Sequence, residues 1–521
     1  MSVELGLAIV ATVDLCLKYG KELGKICCAL KGVDAAIEER VLRLENGWHR
    51  CKTQLNFLQQ IHRLMDDEHR LLYEQTLHML IGKLNAATSI MKGLVKIQAD
   101  DNDPDETRLI PKPVKYAFKK EKLDEAIDTL ETWQRLSDPS WFLILKMNDT
   151  RVDDALQQSS RLRSMPSTSV IRMSLQRTTS KTKDATGLAL PPANLHEMDI
   201  EDIPFSNAKT ARRKDSSSVY IIEKVNSVES NLAAITRKNV RDLASRLQHD
   251  EPHTFGLLNC KGFVAERGDQ STSKPQTTFT MVFGTPTGLT GPRSLRDYLV
   301  NTREPSSLSH RFSIAQQLAK SISYVHIFGF VHKNVRPETV IAFKDQRKED
   351  PVVFMVGFED FRREDGRTRR RGDDAVERNL YRHPTRQGFS PEDDFIMQHD
   401  IYSLGVCLLE IGLWHSFVQH DPLNETTVLS AFLKTNHNSS KEDIAEFLLT
   451  SAKNRFVELA RSQLRECMGT RYSDIVETCL TCLDPDNGDF GDQREFEDED
   501  GIRVGVRYIE KVLGRLNTLC V

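Results

Sequence analysis

The sequence predicts an α-helical bundle over residues 1–155, a linker over 156–205 and an α+β domain of two lobes over 206–521. Long apolar stripes, spaced alternately four and three residues and almost free of Gly and Pro, run through the first part. From about Gln157 to Ser218 that periodicity stops and Ser, Thr, Arg and Lys take over. After Val219, strand-like runs come first and helical runs follow, the order of an α+β domain. At 521 residues the chain is too long for one core. A charged fraction of 28% describes a soluble protein, and a net charge of −4 argues against general nucleic-acid affinity. The ten cysteines follow no framework spacing, so they read as reduced thiols of a cytoplasmic protein. Cys479 and Cys482 have C-x-x-C spacing without a second pair, which fits buried helix cysteines better than zinc.

The first element is apolar from Leu5 to Leu17, with Asp14 its only charge. Glu4 stands where a basic n-region would be, so a secretory signal is not expected, and the run is short for a span of about 20 residues. It suits a buried helix or a conditional membrane inserter. A second helix follows Ile37, Val41, Leu44, Trp48, Cys51, Leu55 and Leu58 to Met65, and a third repeats the stripe from Tyr73 to Leu94. Asp100 to Asp105 ends that stripe as an acidic break. A fourth helix starts after Pro113 with Leu123, Ile127 and Leu130, and a shorter fifth carries Trp141, Leu145 and Val152. Short turns between such helices make them antiparallel neighbours.

The apolar N-terminus, the helix containing Glu45-Asn46-Gly47-Trp48, and the segment from Lys115 to Ile127 together resemble the fungal HeLo domain. That family is the globular part of proteins controlling vegetative incompatibility and prion-type signalling. The resemblance implies an N-terminal helix that leaves the bundle and enters membranes when the protein self-associates, here through Leu5, Leu7, Ile9, Val10 and Val13. By composition alone the same helix is ordinary core. Lys18, Lys21, Lys25 and Lys31 suit anionic headgroups and equally a solvated face, and Cys27-Cys28 offers a palmitoylation site. In the linker, Arg161-Leu162-Arg163-Ser164 and Arg177-Thr178-Thr179-Ser180 have the form of basic-directed phosphorylation sites in a flexible tether.

The C-terminal domain turns on His332-Lys333-Asn334-Val335-Arg336-Pro337-Glu338-Thr339-Val340, which follows a helical run from Phe312 to Phe328. A strand, Val352 to Val356, leads into Gly357-Phe358-Glu359, and a long apolar helix opens at Asp400 and passes Gly405. In frame, these resemble the catalytic loop, metal-binding triplet and central helix of a protein kinase, with the skeleton residues His332, Pro337, Asp400 and Gly405 in place. The resemblance implies a protein-kinase-like bilobal domain whose catalytic residues have degenerated. Asn334 stands at the catalytic Asp, Thr339 at the Asn that holds a second magnesium, and Gly357 at the metal-binding Asp. A neutral amide accepts no proton near pH 7, and glycine binds no metal. Residues 200–218 contain no Gly, so the phosphate cradle is missing. Lys224, ending the run from Val219, is the candidate for the lysine that holds the α and β phosphates, and it alone leaves ATP binding open, without magnesium. Asp242 is the only acid suited to partner it from the next helix. The seven arginines between Arg362 and Arg378 read as a charged loop or as a dock for an acidic or phosphorylated partner. Helices of the tail, ending with one from Val504 to Leu516, would close the large lobe.

Helical bundle, tether and pseudokinase together are similar in plan to the mixed lineage kinase domain-like proteins. The expectation is a fungal cell-death or incompatibility protein in which a pseudokinase, sensing a protein partner, regulates a bundle that self-associates on an anionic surface such as the plasma membrane. A signalling adaptor with no membrane activity is the alternative, and an active kinase using unconventional residues is a third.

Overall fold

The computed structural model describes residues 2–31, 35–65, 67–100, 103–112, 121–130, 141, 145, 150–158, 187–213, 218–229, 233–249, 251–267, 276–301, 306–345, 350–359, 361–363, 373–421, 426–433, 440–491 and 502–519. They fall into two units, Met1–Ser169 and Val170–Val521, the first mainly helical and the second α+β.

In the first unit, α1 (Ser2–Leu30), α2 (Ala35–Ile61) and α3 (Asp67–Lys92) form the body. The apolar stripe of α2 is buried at Ile37, Val41, Leu44, Cys51, Leu55 and Leu58, as its spacing requires. Trp48 closes over Gly20 of α1, where a Cβ would overlap the indole ring. The helix over residues 121–130 (α4) is tied to α2 by a two-pronged pair, with Arg40 Nε and one terminal nitrogen each 2.6 Å from the Asp124 oxygens. Helix α5 (Thr150–Gln158) adds the buried Val152, Trp141 is buried with its ring 6.3 Å from that of Phe57 of α2, and Leu145 is buried as well.

In this unit one element differs from the sequence reading. The acidic stretch does not merely end a helix: Asp100, Asp103 and Asp105 belong to an antiparallel pair of strands, β1 (Val95–Asp100) and β2 (Asp103–Pro111), with Val95 paired to Pro111 and Ile97 to Leu109. Val95, Ile97 and Ala99 alternate with polar residues, a period of two that the strong helical stripe before them obscured.

The linker expected over 156–205 is corrected at both ends. Helix α5 runs to Gln158, and residues 187–205 belong to the second unit's fold. There β3 (Ala189–Leu190) pairs in parallel with β7, α6 (Ala193–His196) crosses the sheet, and β4 (Met198–Asp202) begins the far edge. The Pro191-Pro192 pair that reads as punctuation starts the turn that lowers Leu195 onto Ala211, Ile222, Val264 and Val282. The tether motifs at 161–164 and 177–180 lie outside the described residues.

The remaining strands are β5 (Lys209–Arg213), β6 (Val219–Glu229), β7 (Asn259–Arg267) and β8 (Gln276–Gly284), giving a six-stranded sheet in the order β3-β7-β8-β6-β5-β4. Helix α7 (Ala233–Arg246) follows β6. Beyond β8 the chain forms β9 (Leu289–Ser294), α8 (Leu295–Asn301) and α9 (Leu308–Ile327), then β10 (Phe330–Val331), β11 (Val340–Asp345) and β12 (Val352–Met355). Helix α10 (Met397–Leu413) is buried almost throughout and serves as the axis of the helical part. Gly405 lets the helix Thr470–Leu480 approach it so closely that a Cβ would lie 2.9 Å from that of Cys479.

Candidate functional site

The loop between β10 and β11 is held from below by one buried carboxylate. Asp400, in the first turn of α10, accepts hydrogen bonds from the backbone N–H of His332 at 2.8 Å and of Lys333 at 2.9 Å, and from His326 Nε2 at 3.0 Å. Burial alone would push this acid up, but His326 and His332 together hold its carboxyl below the usual range. The bond to Lys333 also fixes a backbone with φ of +66°, a conformation that a side-chain-bearing residue adopts only when its surroundings impose it. His332 is fully buried, its Nε2 lies 3.0 Å from the Val356 carbonyl, and burial pushes its pKa down to about 4. A carbonyl only accepts, so the imidazole is neutral with its proton on Nε2.

Asn334, Thr339 and Gly357 are brought together, and each is committed to the loop itself. The Asn334 amide donates to the Gly357 carbonyl at 3.2 Å, and its oxygen accepts from Arg336 Nε at 2.9 Å. Thr339 Oγ1 donates toward the carbonyls of Asn334 and Arg336, closing the short turn that begins at Pro337. Gly357 has φ of +91°, and a Cβ there would overlap the Thr339 methyl. The Thr339 methyl fills the room that a side chain at 357 would need.

Lys224 is not in this group. It is exposed, in register with Thr280 on β8, which is in register with Val264 on β7. Val264 belongs to the apolar cluster of the opposite face of the sheet. Strand alternation therefore places Glu223, not Lys224, on the inner face. Glu223 is 2% exposed and its carboxylate oxygen accepts the Gly357 N–H at 2.9 Å. Burial, with Glu359 adding repulsion, pushes its pKa up to about 8, so the carboxyl is protonated at neutral pH. Ile221 and Val225, buried two residues to either side, carried this signal in the sequence, since the inward set had to be odd-numbered.

Above the loop, the turn joining β4 and β5 is drawn inward. Ile203 and Ala208 are each 2% exposed at its ends, and Phe205 has φ of +57°. Ser206 Oγ donates to the Glu338 carbonyl at 2.8 Å, Asn207 Nδ2 donates to Glu359 at 2.5 Å, and the Pro204 carbonyl accepts from Ser294 Oγ at 2.6 Å. Beside the turn an open groove of about 880 Å³ is lined by Asp199, Glu201, Arg212, Phe343 and the segment Gly284 to Pro292.

Beneath, Arg296 of α8 is completely buried between Glu338 at 3.0 Å and Glu410 at 2.8 Å, and it also donates to the Tyr381 hydroxyl. Nothing in the sequence around Arg296 singled it out, because its partners lie 42 and 114 residues away. Burial opposes the charge, yet the two carboxylates hold the guanidinium well above its usual range. The arginine-rich stretch expected as a dock falls largely at 364–372, outside the described residues.

In the first unit, Ile9 and Val13 are fully buried in the bundle and Val10 is half-buried. The side chains of Leu5 and Leu7 lie outside the described ones. Among the described residues, no helix is long and apolar enough to cross a membrane, and no group of His, Cys, Asp and Glu is arranged to hold a metal ion. Cys479 and Cys482 are both buried, and the Cys482 thiol lies 3.2 Å from the Gln398 carbonyl. No protein-family model matches the chain.

Proposed function

We propose that the second unit is a protein-kinase-like domain that performs no phosphoryl transfer, and that it regulates the helical bundle in a fungal cell-death or incompatibility response. The observation that carries the reading is the loop at 332–340. It has a buried aspartate bracing its backbone, the feature a kinase uses to position its catalytic groups, yet Asn334, Thr339 and Gly357 are spent on holding one another. The sheet order supports the kinase-like reading, since the hairpin β4-β5 and then β6 lie beside β8 and β7 as in a kinase small lobe. A protonated Glu223 stands on the inner face where a phosphate-binding lysine would be needed. With an amide at 334 where a proton-accepting carboxylate would be needed, and glycine at 357 where a metal ligand would be, the loop lacks terms that phosphoryl transfer depends on.

The bundle would be the output. Releasing α1 uncovers Ile9, Val13, Cys16, Leu23 and Ile26, an apolar stripe that a lipid interface can bury in place of the core. The test is dye release from anionic liposomes by full-length protein, residues 1–158, and that fragment with Ile9→Glu. Leakage by the fragment, suppressed in the full chain and by Ile9→Glu, supports an autoinhibited membrane executor. A folded fragment that leaks nothing moves the reading to the protein-binding adaptor. The tight packing of α1 at Ile9, Val13 and Cys16 is the observation in the adaptor's favour.

A further inference from the structure

The inward turn between β4 and β5 touches the rest of the unit through side chains from distant parts of the sequence. Its Asn207 amide meets one oxygen of Glu359 at 2.5 Å, and the other Glu359 oxygen lies 3.3 Å from a terminal nitrogen of Arg378. Arg378 also lies 3.7 Å from Asp373, which holds Arg382 at 3.0 Å. Glu359 is itself only 7% exposed, whereas Asn207 is exposed and Arg378 half-buried, so the carboxylate is the buried end of both bonds. One carboxylate thus grips two segments separated by 171 residues of sequence, from Asn207 to Arg378. Phe205, next to the grip, carries a left-handed backbone that costs free energy and is imposed by the bonds around it. A turn with a strained residue, two buried ends and a shared anchor has a natural alternative state in which it swings away and the strain is relieved.

We propose that Glu359 is a two-sided latch that couples the strap 203–208 over the loop to the segment 373–382, so that loosening either one loosens the other. The coupling stands whether or not the unit regulates the bundle, because it concerns contacts within the unit alone. Its thermodynamic signature is reciprocity: the free energy by which the Arg378 contact steadies the strap equals that by which the strap steadies the Arg378 contact.

The experiment is amide hydrogen exchange on the full-length protein and on Arg378→Met, Asn207→Asp, and Asn207→Asp combined with Glu359→Gln. Arg378→Met should speed exchange in the strap by about fivefold or more, the lower range of ordinary coupling energies. Asn207→Asp, which sets one carboxylate against another, should speed exchange in 373–382 to a similar extent. Glu359→Gln in the same chain lets the new carboxylate accept from an amide and should restore protection to the strap. Amides of α10 serve as the internal control and should not change. The proposal is overturned if each substitution loosens only its own segment, if exchange rises equally in α10, or if the double variant is no better protected than Asn207→Asp.

Discussion

A fully extended strand offers its two faces to opposite surroundings, and between Glu223 and Lys224 that choice decides what the site can be. The folded state binds the Glu223 proton more tightly than the unfolded chain, whose carboxyl titrates at the ordinary 4.5. Between pH 4.5 and 8 the folded state therefore holds more protons, and the stability of the second unit falls as pH rises through that interval. Glu223→Gln removes this loss, so denaturant melts of the two proteins should diverge with rising pH, the variant gaining about 1 kcal/mol per unit. Parallel curves would show that Glu223 does not titrate in this way. Gly357→Asp sets a carboxylate beside Asn334 and Thr339, where there is no space for its Cβ. It forces a Cβ into the Thr339 methyl at a backbone angle of +91° and should cost about 2–4 kcal/mol of unfolding free energy. Thermal unfolding of the variant at the wild-type temperature would contradict the reading of that glycine as a packing requirement.

At the scale of elements, long helical stripes were legible and short strands were not. The α2 stripe is buried at nearly every position its spacing names because a helix of 27 residues repeats its signal many times. The two residues of β3 and the four of α6 repeat nothing, and their partners lie in β7 and across the sheet, so composition alone made them look like tether. The loop at 332–340 stood out in the sequence by its residue order, and the structure shows Asp400 bonded to its backbone at His332 and Lys333. Asn207, Glu359 and Arg296 were not, because each acts through a partner far along the chain. Helix α10 gives the element-scale test. Gly405→Val pushes a branched side chain against Cys479 and the backbone of the neighbouring helix, and should lower stability by about 3 kcal/mol. A chemical melt within about 0.5 kcal/mol of wild type would mean that the helices separate without loss.

Across the second unit, buried imidazoles set the acid limit. Burial pushes His332 and His383 down to about 4 and His249 and His399 to about 3, while the unfolded chain takes up these protons near 6.5. The unfolded state then binds more protons below pH 6.5, and the stability these neutral rings contribute, full above that value, is lost as pH falls toward 4. Glu223 acts in the opposite direction from 4.5 upward, so stability should peak near neutrality. Circular dichroism of thermal unfolding from pH 4 to 8 checks this, and a flat profile between 6.5 and 4.5 would refute it.

The path of residues 187–197 has a mechanical consequence. The chain enters the sheet at one edge through two parallel residues, crosses the face under Leu195, and leaves along the opposite edge as β4. Tension applied upstream of Gly187 therefore loads β3 before any other strand, and β3 is joined to β7 over only Ala189 and Leu190. Under force residues 187–197 would peel first and lift Leu195 from its seat, while the longer strands stayed in register: a fuse that yields before the sheet does.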